Sequence, residues 1–227
     1  MIKTKVLQIL KHKSLYKLLI KKNEESASDI YFVNIDPKLI THISLLPENA
    51  SRLTGSEALH GAFYGGFDIL KTPFKRGFMY LTVQQLINGE DWESTLYYQK
   101  LLKYKEKSET FAHYRKLKHL IETISSDGYL SQFEMKKTNQ TISISKWKVP
   151  RHEMVIGLDR KGRFFRIRGG RHRLAVAQNI GVKEIPAILM LYHQSAVDHI
   201  PQKSRIIRGE VSDYRPFGRA KHVFEQN

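Results

Sequence analysis

The residues Gly169-Gly170-Arg171-His172-Arg173 concentrate this chain's chemistry. Glycines admit a close approach of the backbone and left-handed conformations that a Cβ resists. These two lie between a run that reads as a strand, Arg163 to Arg168, and one that reads as a helix, Arg171 to Asn179. The first amides of the helix and its positive dipole end therefore point at whatever occupies the turn. Arg171, His172 and Arg173 add side-chain donors at the same spot, and an arginine fork matches a pair of phosphate oxygens. Two glycines, a helix start and three donors within five residues make an anion site, and a phosphate chain suits it best. The plainer reading is a strand-to-helix turn with solvated arginines.

A phosphate site turns over only if another group handles a proton or a metal. Two carboxylates are candidates for that catalytic role. Asp68 follows two glycines in Gly65-Gly66-Phe67-Asp68, where it could approach a hydroxyl as a base or hold Mg²⁺. A turn-forming role for the same aspartate stays open. Glu134, just beyond Gly128-Tyr129-Leu130, could face the phosphates. Glu93, in the acidic segment Glu90-Asp91-Trp92-Glu93, reads as a first-turn helix acid favoured by the dipole, and Asp159 as a shaper of a hairpin turn. His152, His193 and His199 show no metal-ligand spacing, so no zinc site is expected.

The elements that must position these residues can be read from periodicity. Ile30 to Ile35 predicts a strand ended by Asp36-Pro37. Leu45 to Gly77 is irregular and glycine-rich. Helices are predicted over Asp91 to Lys107 and over Glu109 to Ser126, the second closed by Asp127-Gly128. Strands follow near Gln132 to Lys136 and Thr141 to Trp147. A hairpin then pairs Met154 to Leu158 with Arg163 to Arg168. The helix from Arg171 is stopped by Gly181, and Ile185 to Leu191 reads as a buried strand. Three regions result: a basic stretch and linker over 1–29, a domain over 30–194 with an insertion at about 41–110, and a basic tail over 195–227.

The first 22 residues hold seven lysines and no acid, interleaved with apolar residues at loosely helical spacing. An amphipathic helix packed on the domain and one lying on an anionic membrane both fit. The chain has 227 residues and a net charge of +16, an excess that attracts polyanions without choosing among them. It has no cysteine, which excludes disulfides, thiolate metal sites and cysteine nucleophiles. With no apolar run of membrane-spanning length and no leader-like start, a cytoplasmic protein is expected, with peripheral membrane contact open.

The turn resembles that of the ParB/sulfiredoxin-like superfamily. Sulfiredoxin carries Gly-Gly-Cys-His-Arg where this chain has Gly169-Gly170-Arg171-His172-Arg173. Gly181-Val182-Lys183-Glu184-Ile185-Pro186-Ala187-Ile188 is similar to the helix, glycine, Ile-Pro and strand ending of ParB-like domains. Leu117 to Leu130 resembles their helix ending in Gly-Tyr-Leu, and Ile30 to Pro37 matches their first strand. The glycine and Glu-Asp-Trp-Glu clusters of the insertion resemble segments of ParB-like proteins from surface-polysaccharide gene neighbourhoods. The resemblance implies an α+β fold, a mixed small sheet with flanking helices and a helical insertion. It implies a nucleotide, ATP or another nucleoside triphosphate with Mg²⁺, bound by Gly169, Gly170, Arg171, His172 and Arg173. Arg171 replaces the reactive cysteine, so sulfinic acid repair by that route is excluded.

Two functions follow as expectations. One is an ATP-dependent phosphotransferase acting on a small hydroxyl compound such as a sugar or sugar-lipid. The other is a nucleotide-gated DNA binder, with Arg160, Lys161, Arg163, Arg166 and Arg168 tracking a phosphate backbone. The enzyme is favoured, because no helix-turn-helix follows the nucleotide module and the turn is nearer the ATP-using type. His172 and Arg173 are expected to be replaceable without harm to the fold, since both lie at a helix start.

Overall fold

The computed structural model describes residues 21–22, 30–45, 61–64, 67–69, 71–131, 153–201 and 205–207. The strands are β1 (Lys21–Lys22), β2 (Ile30–Ile35), β3 (His42–Ser44), β4 (Gly61–Tyr64) and β5 (Lys71–Pro73). Helices α1 (Phe78–Ile87), α2 (Leu96–Leu101) and α3 (Lys107–Asp127) follow. The chain continues through β6 (Val155–Leu158), β7 (Phe164–Arg168), α4 (Arg171–Ile180), β8 (Ile185–His193) and β9 (Arg205–Ile207).

The organising element is β8. Its run Ile-Pro-Ala-Ile-Leu-Met-Leu-Tyr-His is apolar without alternation, the pattern of a strand covered on both faces. It pairs in parallel with β6 along one edge. Along the other it takes β2 antiparallel at Ile185 to Leu189, then β4 in parallel at Leu191 to His193. Beyond β6 come β7, β3 and β5, and β1 pairs with β4 while β9 pairs with β2. This is an α+β fold, a mixed sheet flanked by helices. Three short strands of the 41–110 region, β3, β4 and β5, add to it.

Helix α4 is buried on nearly every side: the successive residues Leu174, Ala175, Val176 and Ala177 are all fully buried in the main core. Gln178 donates from Nε2 to the carbonyls of Pro37 (2.6 Å) and Ile40 (3.0 Å), tying the helix to the turn after β2. Helices α1 and α3 both pack against α4. A smaller apolar cluster, Trp92, Tyr98 and Leu101, joins α2 to α3, with the Trp92 and Tyr114 rings stacked at 5.4 Å.

Several expectations need correction. The helix expected over Asp91 to Lys107 is broken: Trp92–Ser94 is a 3₁₀ turn and α2 ends at Leu101. Thr95 is the reason for the late start, since its hydroxyl accepts from the Tyr98 amide (3.2 Å) and caps α2. Helix α1 lies where the sequence pattern predicts no element. Its aromatic and β-branched residues are poor local helix signals, and burial of Met79, Tyr80 and Val83 overrides them. Lys21 and Lys22, placed at the end of a helix by the sequence pattern, are extended against Phe63 and Tyr64. The basic tail contributes a 3₁₀ segment, Gln194–His199, and β9. The strands expected near 132–136 and 141–147 lie outside the described residues.

The β6–β7 hairpin does close at Asp159 as expected. Its Oδ1 accepts from the amides of Lys161 and Arg163 (both 2.9 Å), while Oδ2 accepts from Arg163 Nε and from Lys71 Nζ. Burial alone would raise this carboxyl, but the Lys71 bond and charge and the two amides outweigh it and hold the pKa at about 2. The folded pKa lies below the ordinary 3.8. The contribution to stability is therefore complete above that value and is lost as pH falls from 3.8 toward about 2. Over that window wild type should lose on the order of 2 kcal/mol that Asp159→Asn does not, measured by urea denaturation at stepped pH. Parallel curves for the two proteins would remove Asp159 as the cause.

Candidate functional site

Strand β7 runs into Gly169 and Gly170, both left-handed, with φ of +65° and +57°. A Cβ on Gly169 would lie 2.3 Å from the Glu153 carbonyl oxygen, so no other residue fits there without moving the backbone. Arg166, buried beneath the turn, donates from Nε to the Gly169 carbonyl at 2.6 Å. Gly170 is the N-cap of α4 and offers no side chain to its first amides. Those amides are thus left to water or to an incoming ligand.

The turn opens into a cavity of about 410 Å³. One wall is Gly169, Gly170, Arg171, His172 and Arg173. The facing wall comes from α3, with His113, Lys116, Leu117 and Leu120, and from Tyr97 of α2. No Asp or Glu is among the described residues that line it. The Tyr97 ring centroid lies 6.1 Å from that of His113 and 6.3 Å from that of His172. The His172 ring meets solvent at the mouth, but its neighbours strip much of its hydration. That loss, with the charges of Arg171, Arg166 and His113, holds its pKa below the usual value.

The structure separates the expected site residues. Arg171 and His172 line the cavity. Arg173 also borders it, yet its side chain is committed elsewhere: it is 6% exposed, donates from Nη2 to the Leu130 carbonyl, and lies 4.1 Å over the Tyr129 ring. Arg173 therefore clasps the Gly128-Tyr129-Leu130 turn to α4. The expectation that it can be replaced without harm to the fold is corrected.

Asp68 is not brought to the cavity. It is 3% exposed and receives Arg160 in a forked ion pair, at 2.7 Å from Nε and 2.6 Å from Nη2, plus the Arg160 amide at 3.0 Å. Burial opposes its ionised form, but these donors prevail and its pKa is lowered. Arg160 sits at the closed end of the β6–β7 hairpin, and Gly169 at the other end of β7. Five residues of strand put the two ends roughly 17 Å apart. Glu134 and His152 lie outside the described residues. Glu93 pairs with Lys107 at 2.8 Å on the surface. His193 caps the segment after β8, its Nδ1 2.8 Å from the Ser195 hydroxyl, and the His199 ring packs on Gly162. No group of three metal-ligating side chains occurs among the described residues.

Sequence reasoning missed Tyr97, His113 and Lys116. The one signal for the last two was spacing: His113, Lys116, Leu117 and Leu120 recur at helical intervals and so share a face of α3. No helix among the described residues is long and apolar enough to cross a membrane. No protein-family model matches the chain, and comparison with curated proteins and with solved structures gives no match.

Proposed function

We propose that this cavity binds the phosphate chain of a nucleoside triphosphate, with ATP the first choice, and serves transfer of phosphate to a small hydroxyl compound. One observation carries the reading. The uncapped amino end of α4, Arg171, His172 and Lys116 converge on one cavity whose described lining holds no carboxylate. Such a surface attracts phosphate through amides, dipole and cations together. Tyr97, Leu117 and Leu120 make the rest of the lining apolar, which suits a nucleoside better than bare polyphosphate. Among the described residues of this lining Mg²⁺ finds no carboxylate ligand, so a resident metal does not fit those residues.

The DNA-binding alternative rests on a row of cations that is largely engaged within the protein. Arg160 is paired with Asp68, Arg163 with Asp159, and Arg166 is buried under the glycine turn. Lys161 is exposed, and Arg168 reaches toward the Met190 sulfur.

Calorimetry with ATP and with adenosine tests the nucleotide reading. ATP is expected to bind more tightly, because the recognisable polar contacts are all to phosphate. Arg171→Ala should weaken ATP binding about tenfold to a hundredfold, the effect of losing one charge-assisted hydrogen bond. Equal affinities for ATP and adenosine would sink the proposal.

A further inference from the structure

A phosphoryl transfer to a hydroxyl needs a group that takes the hydroxyl proton, and Asp68 is held at the wrong end of β7. Among the described residues, the titratable side chains that line the cavity are Tyr97, His113, Lys116 and the Arg171-His172-Arg173 run. Tyrosine, lysine and arginine hold their protons too firmly to accept another near neutral pH, which leaves the imidazoles. His172 belongs to the amino end of α4, where the phosphates would lie. His113 stands on α3, the facing wall, one turn before Lys116 and against the edge of Tyr97.

We propose that His113 is the proton acceptor of phosphoryl transfer in this cavity, with the acceptor hydroxyl bound between the α3 wall and the amino end of α4. The inference rests on the nucleotide reading above. In the step, the hydroxyl oxygen forms a bond to the γ-phosphorus of ATP, and its proton passes to the His113 imidazole. The bond from the γ-phosphorus to the β–γ bridging oxygen breaks, and its electron pair leaves with ADP. Arg171, Lys116 and the α4 amides sit where the charge on the transferring group develops, so they stabilise that state without moving. The acceptor must be small. The cavity is about 410 Å³ and has to hold the nucleotide's phosphates as well.

The test uses the full chain, with water as the acceptor and ADP release from ATP as the readout, alongside calorimetry of ATP binding. His113→Ala should lower the rate about a hundredfold or more, the scale of a lost general base, and by a far larger factor than it changes ATP affinity. Added imidazole should restore part of that rate, which it cannot do for a merely structural defect. An undiminished rate in His113→Ala, or a lost rate that imidazole does not restore, overturns the proposal. Wild type that binds ATP but releases no ADP at any pH overturns it too and leaves the nucleotide reading standing. Failure of wild type to bind ATP removes that reading itself.

Discussion

Gly169→Ala is expected to destabilise the protein by about 2–5 kcal/mol, a large loss for the addition of one carbon. Two costs combine. The residue is left-handed at φ +65°, where an L side chain pays about 1–2 kcal/mol. Its Cβ would also meet the Glu153 carbonyl oxygen at 2.3 Å, and that oxygen belongs to backbone leading into β6, which cannot swing aside like a side chain. Gly181 is the internal control. It is equally left-handed, at φ +77°, but a Cβ there meets nothing within 4 Å. Gly181→Ala should therefore cost only the conformational part, about 1–2 kcal/mol. Urea denaturation of both variants gives the comparison. If Gly169→Ala proves no worse than Gly181→Ala, the close approach at the turn is not what demands glycine.

Arg173→Ala is expected to cost about 2–4 kcal/mol of stability, from a charge-assisted hydrogen bond to the Leu130 carbonyl and a cation resting on the Tyr129 ring. The substitution also leaves the Leu130 carbonyl without that donor. His172→Ala, one residue earlier and at the solvent edge, should change stability by no more than about 0.5 kcal/mol. Thermal melts of the two variants beside wild type distinguish them. Equal melting temperatures would mean that Arg173 is free to serve the cavity as Arg171 does. The contrast also governs how binding data are read: weaker ATP binding in Arg173→Ala would report a disturbed wall, while the same loss in His172→Ala would report a contact.

Local chemistry determined much of the core framework by itself. Ile30–Ile35, the hairpin closed at Asp159, and the helix between Gly170 and Gly181 each follow from short-range patterns, because their own residues carry both the apolar period and the stop signal. The glycine turn was legible for the same reason: its conformation, its amides and its arginines are neighbours in sequence. Asp159 likewise binds amides two and four residues away, which a turn reading can foresee.

The tertiary structure decided which charged groups meet. Asp68 and Arg160 are 92 residues apart, and no local pattern says that a carboxylate beside glycines will be buried against a distant arginine. Arg173 and Leu130 are 43 residues apart, so a residue that looks like a solvent-facing helix starter becomes a clasp only when α3 and α4 pack. The cavity arises in the same way. His113, Lys116 and Tyr97 are ordinary helix residues in sequence, and they come to line one cavity because α3 and α2 close over the amino end of α4. Backbone conformation is set by neighbours along the chain, whereas the environment of a charge is set by whatever packing brings within a few ångströms of it.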